Sequence, residues 1–246
     1  MFPVIQIGPL ALQAPGLILL IGLWLGLTVS EKWAKHFKVS VNQMYNLVFI
    51  ALIAGIIGAR LSYALKNLPV FLASPLSLFS LNPGLLDPLG GLVIALLAAW
   101  VYGSRKNSLS WTMMDALSGL FAVMMTAIGL STLASGKAFG METTLPWGID
   151  LWGAIRHPTQ IYISLAGLLI LGILWPRGGD ADSALRLPGV TFLGFTALSS
   201  GALLFIEGFR GDSLTLPNGI RLIQILAWLV LAISLWALGK KLKSAS

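Results

Sequence analysis

Seven apolar runs constrain this chain more than any other feature: residues 10–30, 44–65, 84–102, 113–134, 159–175, 189–207 and 220–239. A membrane-crossing helix needs about 20 mostly apolar residues. Inside a bilayer a helix satisfies its backbone N–H and C=O groups within one segment. The expected fold is therefore all-α, a polytopic membrane helical bundle of about seven spans. It would form a single domain over residues 1–246, with its outer-face loops making a small head. The chain is 57% hydrophobic and only 10% charged, whereas a soluble domain carries roughly a quarter charged residues. So little charge cannot cover a water-facing surface. The third run is the shortest, interrupted at its start by Asp87-Pro88 and Gly90-Gly91. The stretch Val70–Leu81 is apolar but only 12 residues long and contains Pro75. It reads as an interfacial or re-entrant segment, with an eighth span as the alternative.

The net charge of +7 could suggest a nucleic-acid partner, but its distribution points to a membrane and to no nucleic acid. Basic residues cluster between the apolar runs as Lys32/Lys35/Lys38, Arg105/Lys106 and Lys240/Lys241/Lys243. With the N-terminus outside and the C-terminus inside, ten of the 16 Lys and Arg lie inside, Arg177 and Arg186 among them. Five (Lys66, Lys137, Arg156, Arg210 and Arg221) lie outside, and Arg60 lies within a span. That bias sets an N-out, C-in orientation. The first charge in the chain is Glu31, so no cleavable signal peptide is expected. There are no cysteines, which excludes disulfides and a cysteine nucleophile, and the two histidines, His36 and His157, leave little room for a metal cluster. No cofactor is expected.

The inside connections (31–43, 103–112 and 176–188) are short and simple, while the outside ones (66–83, 135–158 and 208–219) hold the Gly, Pro, Trp and paired charges. Activity is expected at the outer leaflet. Internal repeats and inverted pairs of broken helices, as in transporters, are absent. Most tryptophans, including Trp24, Trp100, Trp147 and Trp236, fall near predicted span ends, as an aromatic belt requires.

Several polar residues need an explanation. Arg60, near the outer end of the second span, either snorkels to the headgroups or holds a lipid phosphate in its guanidinium fork. The run Arg156-His157-Pro158-Thr159-Gln160-Ile161-Tyr162 opens the fifth span. It reads as a helix cap with an interfacial Tyr162, or as an anion site where Arg156 and a helix N-terminus cooperate. His157 is the one histidine on the outer side, hence the candidate general base. Glu207 and Arg210, three residues apart, can pair on one helix face or contact substrate. Gly90 and Gly91 allow close approach of backbone to a neighbour or ligand. Asp115 is expected to cap its own helix.

Taken in order, these pieces resemble prolipoprotein diacylglyceryl transferases. The resemblance rests on Ile7-Gly8-Pro9-Leu10-Ala11-Leu12, Gly58-Ala59-Arg60-Leu61-Ser62-Tyr63, Gly90-Gly91-Leu92, Arg156-His157-Pro158-Thr159-Gln160-Ile161-Tyr162 and Glu207-Gly208-Phe209-Arg210. It implies an integral protein of a bacterial cytoplasmic membrane that works on its outer face. Family members move a diacylglyceryl group from phosphatidylglycerol to the lipobox cysteine of a prolipoprotein, releasing glycerol phosphate. With the resemblance, Arg60, Gly90, Gly91, Gly136, Lys137, Arg156, Gln160, Tyr162, Glu207 and Arg210 are the candidate lipid and headgroup set, and His157, the histidine of the outer side, would have to serve as catalytic base.

The chain also departs from the family pattern. The family's H-x-Y-G reads Gln13-Ala14-Pro15-Gly16 here, and its F-H-G-G histidine is matched by Leu89. The signature G-R-x-G-N-F-x-N-G-E falls on residues 128–137, so its lipid-binding arginine becomes Gly129 and its glutamate Lys137. The sixth-span tyrosine and arginine fall at Ser199 and Leu203. Two functions follow as expectations. One is a divergent transferase in which Arg60, Arg156 and Lys137 supply positive charge. The other is a non-catalytic relative that binds phospholipid or a lipoprotein partner.

Overall fold

The computed structural model describes residues 4–7, 10–80, 83–176, 187–217 and 219–244. Arg177 and Arg186, and Gly8 and Pro9 of the first motif, lie outside the described residues. In chain order the elements are β1 (Val4–Ile7), β2 (Leu10–Gln13), α1 (Ala14–His36), α2 (Val41–Lys66), α3 (Leu68–Ala73), α4 (Pro88–Arg105), α5 (Trp111–Ser135), β3 (Ile149–Leu151), β4 (Ala154–Arg156), α6 (Thr159–Ile173), α7 (Val190–Glu207) and α8 (Leu222–Lys243). Short 3₁₀ turns cover Pro75–Phe79 and Pro83–Leu85. The chain is a polytopic helical membrane protein. Two antiparallel hairpins, β1–β2 and β3–β4, are additions to the all-α expectation.

Six helices (α1, α2, α4, α5, α7 and α8) are long and apolar enough to cross a bilayer. The first run begins later than expected because residues 10–13 pair with residues 4–7 as a strand, and Pro15 opens the helix behind them. The third begins at Pro88, behind the cap residue Asp87. The expected fifth span is a helix of only 15 residues, about 22 Å long. It stops ahead of Trp175-Pro176, because a residue before proline avoids the helical region. The stretch Val70–Leu81 is divided between α3 and the Pro75–Phe79 turn, neither of which can cross, and Leu81 lies outside the described residues.

The long helices are apolar outward and polar inward. Leu20, Trp24, Phe205 and Ile233 are more than 60% exposed, whereas Ser30, Asp115, Ser118, Gln160 and Glu207 are at most 2% exposed. Large apolar side chains facing outward, with polar ones buried beside an apolar core, match lipid as the solvent.

The chain divides into two compact units, one of Met1–Lys38 with Met114–Ser246 and the other of Val39–Met113. In the first unit, Trp33, Ala122, Met125, Ile163, Ile170, Leu174 and Ile206 of α1, α5, the α6 region and α7 form the core. Small residues bring the helices close. A β-carbon on Gly26 would meet Leu120 at 2.6 Å, and one on Gly167 would meet Thr126 Oγ1 at 2.5 Å. The second unit is built on α2 against α4, where Gly91 lies against Ala59 and the Gly55 carbonyl. Such small-residue seams drive helix association in lipid, where hydrophobic burial gives no advantage.

Asp115 does cap a helix, but a different one from that expected. From α5 its Oδ2 accepts the Gly189 N–H at 2.6 Å and its Oδ1 the Phe192 N–H at 2.8 Å. It therefore caps α7, whose first residue follows Gly189 in a left-handed conformation. Nearby, Lys241 Nζ donates to the Pro188 carbonyl at 2.5 Å. The Asp115 contacts satisfy helix-start N–H groups that lipid cannot. Asp115→Ala is expected to lower stability by about 1–3 kcal/mol. Thermal unfolding in detergent measures this, and Asp115→Asn, which keeps one acceptor oxygen, should lose less.

Candidate functional site

In the first unit, four short stretches stack edge to edge between the helix ends. Residues 139–143 pair with 209–211 on one side, through Met141 N–H to the Phe209 carbonyl at 2.7 Å and Gly211 N–H to the Phe139 carbonyl at 2.8 Å. On the other side they pair with 155–157, through Thr143 N–H to the Ile155 carbonyl at 2.9 Å and His157 N–H to the Met141 carbonyl at 3.0 Å. Strand β4 continues to β3 through a two-residue turn, Trp152-Gly153, in which both residues have positive φ. Such mirror-image turns suit the strand twist and favour glycine. Gly140 lies so close to the His157 carbonyl that no side chain fits between them. His157 therefore stands where this small sheet meets the start of α6.

His157 is half-buried among aromatic rings, with Phe209 5.0 Å and Tyr162 6.3 Å away between ring centres. Its Nδ1 lies 3.3 Å from the Tyr162 hydroxyl, which accepts the Trp147 indole N–H at 2.8 Å. When the imidazole donates from Nδ1 to that hydroxyl, Nε2 keeps its lone pair, the arrangement of an oriented general base. Tyr162, one turn along the helix, is the orienting group.

The other predicted residues divide by role. Arg156 donates from Nε to the Leu151 carbonyl at 3.1 Å and pairs with Glu142 at 3.3 Å, with its guanidinium carbon 5.1 Å from the Phe139 ring centre. Its contacts brace the hairpin. Arg210 pairs with Glu207 at 3.1 Å, as the spacing predicts, and with Asp212 at 2.8 Å. Asp212 accepts the Ala138 N–H at 2.8 Å, and the Ala138 carbonyl accepts the Thr159 hydroxyl at 2.6 Å. That chain of contacts ties the end of α7 to the start of α6. Gln160 is fully buried and donates to the Lys137 carbonyl at 2.9 Å. Gly136 ends α5, and its carbonyl accepts the Trp152 indole N–H at 3.0 Å. The Lys137 side chain is exposed and makes no ion pair among the described residues.

Arg60, Gly90 and Gly91 belong to the second unit. Arg60 donates from Nε to the Leu78 carbonyl and from Nη1 to the Leu85 carbonyl, both at 3.0 Å, and so gathers the loop between α2 and α4. Gly90 packs directly on Ser62. Asp87 joins the two helices. Its Oδ2 accepts from Ser62 Oγ at 2.5 Å, from Lys66 Nζ at 2.7 Å and from the Gly90 N–H at 3.3 Å. The Lys66 ammonium and the Ser62 hydroxyl hold its carboxyl at about 2, against an ordinary 3.8. Beside it runs a groove of about 540 Å³ lined by Ile57, Leu61, Leu65, Leu89, Val93 and Ile94, with Ser62, Lys66 and Asp87 also on its wall. A groove of this lining suits an acyl chain.

Trp147, Phe209, Asp212, Gly140 and Arg221 also lie at the loop-rich end of the first unit, and sequence reasoning gave them no site role. The available signal was their density in the outside connections 135–158 and 208–219.

A family model described as prolipoprotein diacylglyceryl transferase matches residues 3–239. Relatives carrying the name phosphatidylglycerol--prolipoprotein diacylglyceryl transferase include one from Clostridioides difficile, 30% identical over 215 residues, covering 86% of this chain and 84% of the relative. One from Pseudomonas fluorescens is 29% identical, covering 83% and 78%, and one from Bordetella parapertussis is 29% identical, covering 75% and 76%. The chain belongs to the prolipoprotein diacylglyceryl transferase family.

Position 129 is informative here. A β-carbon on Gly129 would run into Ser164 Oγ and come within 2.6 Å of the Gln160 carbonyl. Helix α6 therefore occupies the space that an arginine at this position would need. Gly129→Arg is expected to destabilise the protein by about 3 kcal/mol or more, read as a lowered unfolding temperature, and to add no phosphate affinity.

A second expectation concerns pH. The Asp87 carboxyl is depressed in the folded chain, so its contribution to stability is fully present above the ordinary value of 3.8 and is lost as pH falls toward about 2. Unfolding temperatures should show no Asp87 contribution to pH dependence between pH 5 and 8, and a decline below about pH 4 that Asp87→Asn removes.

Proposed function

We propose that this protein transfers a diacylglyceryl group from phosphatidylglycerol to the cysteine thiol of a prolipoprotein, at the outer face of a bacterial cytoplasmic membrane. The observation that carries this reading is the oriented His157, held by Tyr162 and Trp147 at the loop-rich end of the first unit. In the reaction the thiol gives up its proton, a carbon–sulfur bond forms, a carbon–oxygen bond of the lipid breaks and glycerol phosphate leaves. His157 Nε2 is the group here placed to accept that proton. The seven-span, N-out and C-in arrangement belongs to the same proposal, with the 15-residue α6 as the seventh crossing. It would place His157 outside and Lys240, Lys241 and Lys243 inside.

A second reading is supported by two particular positions. Leu89, where the family resemblance places a histidine, is exposed on the groove wall, and Gly129, where it places an arginine, is closed off by α6. A relative that binds lipid without turning it over would look like this.

Complementation of a bacterium depleted of its own transferase separates the two, with lipobox peptides read by mass spectrometry. A diacylglyceryl mass shift is expected. Its absence, with the protein folded and in the membrane, leaves the binding reading. In a complementing strain His157→Ala should lower transfer by about 10²–10⁴-fold, and Tyr162→Phe by about tenfold with little change in lipid affinity.

A further inference from the structure

The cations at the loop-rich end of the first unit differ in how they are satisfied. Arg156 has Glu142, and Arg210 has Glu207 and Asp212. Arg221, the residue just ahead of α8, has no carboxylate among the described residues. Among the described residues its Nη2 reaches the Met141 sulfur alone, at 3.7 Å, and its Nη1 is buried with no hydrogen-bond partner. A thioether is a weak acceptor. Arg221 is half-buried, and a guanidinium nitrogen shielded from water without a partner is costly, so this one suits an anion.

Three further observations narrow the anion. First, the backbone that carries Arg221 is braced, with Leu222 N–H on the Leu214 carbonyl at 3.1 Å, Leu216 N–H on the Ile220 carbonyl at 2.8 Å, and a bridge from Thr215 to Arg221. These contacts fix the backbone at Arg221 itself. Second, the neighbouring side chains in sequence are apolar and exposed, Leu214 by 72% and Ile220 by 47%, and Met141 itself by 41%. Apolar side chains around a cation suit the boundary between acyl chains and headgroups, a poor environment for a freely soluble anion. Third, Arg221 touches Met141, whose carbonyl accepts the His157 backbone N–H, so the cation and the candidate base are anchored on the same residue.

We propose that Arg221 binds the phosphate of an anionic phospholipid headgroup. The fork of the guanidinium suits two phosphate oxygens. This deepens the transferase reading by giving its lipid a cation near His157, at a position apart from Gly129. It rests on that reading only for the fate of the lipid, since headgroup binding needs no turnover.

The test is lipid binding by the full-length protein purified in a neutral detergent, read by native mass spectrometry. Phosphatidylglycerol is expected to bind about tenfold better than phosphatidylcholine. Arg221→Gln should remove that preference, and Arg221→Lys should keep part of it. Equal binding of the two lipids by the unaltered protein, or an unchanged preference in a folded Arg221→Gln protein, overturns the proposal. Should Arg221→Gln not fold, phenylglyoxal labelling of the unaltered protein decides. Phosphatidylglycerol must protect Arg221 and phosphatidylcholine must not. Inorganic phosphate and glycerol phosphate are the second arm, and displacement of the lipid by either at millimolar concentration would mean a soluble-anion site and overturn a headgroup site. A protein that prefers phosphatidylglycerol through Arg221 yet yields no lipidated peptide sinks the transferase reading alone. One that lipidates peptides with lipid preference unaffected by Arg221→Gln sinks this proposal alone.

Discussion

Hydrocarbon offers a polar group no partner, and most of this architecture follows from that constraint. Helices in lipid gain little from burying leucine, so they associate where small side chains let backbones touch and where hydroxyls find carbonyls across the seam. The contact between α5 and α6 shows both. Gly129 and Gly167 bring the helices together, and Ser164 Oγ donates across to the Thr126 carbonyl at 3.2 Å while Thr126 Oγ1 lies 3.3 Å from the Ser164 carbonyl. Ser164 lies inside this seam, while Leu165, Leu168 and Leu169 of the same helix face outward. The Asp115 carboxylate on the α7 N-terminus is the same principle applied to a helix end.

At the loop-rich end of the first unit the constraint changes, because loops there have water available and the chain uses charge and aromatic contacts instead. Four strand-like stretches, two arginine–carboxylate groups and a cluster of rings hold His157 in place. Most of the charged residues at this end are consumed in building that support. Arg156 and Arg210 hold strands and helix ends together, and Arg60 does comparable work in the second unit. A charge in an outer loop of a membrane protein is thus first a means of ordering the loop. The cations with chemistry left to offer are those that ordering leaves unneutralised.

Much of the scaffold was legible in the sequence, because a membrane span is a local property. Six of the seven runs appear as helices of crossing length, and the seventh is shortened by a proline that the sequence displays. The pairing of Glu207 with Arg210 was legible for the same reason, since three residues apart on a helix is local geometry. The site was less legible. The choice between snorkelling and phosphate binding for Arg60 could not be made from its neighbours, because its partners, the carbonyls of Leu78 and Leu85, are 18 and 25 residues away and carry no side-chain signature. Asp115 shows the same limit, as its partner helix begins 74 residues later.

What the sequence determined by itself was the solvent, the helices and the family. Hydropathy and motif order act residue by residue and need no partner to be read. What only the tertiary structure decided was which polar groups are spent. Whether an arginine meets a carbonyl, a carboxylate or nothing depends on segments distant in the chain being brought within about 3 Å, and a hydrogen bond falls away steeply beyond that distance. By that measure Arg60 meets carbonyls, and Arg156 and Arg210 meet carboxylates, while among the described residues Lys137 makes no ion pair and one guanidinium nitrogen of Arg221 has no hydrogen-bond partner.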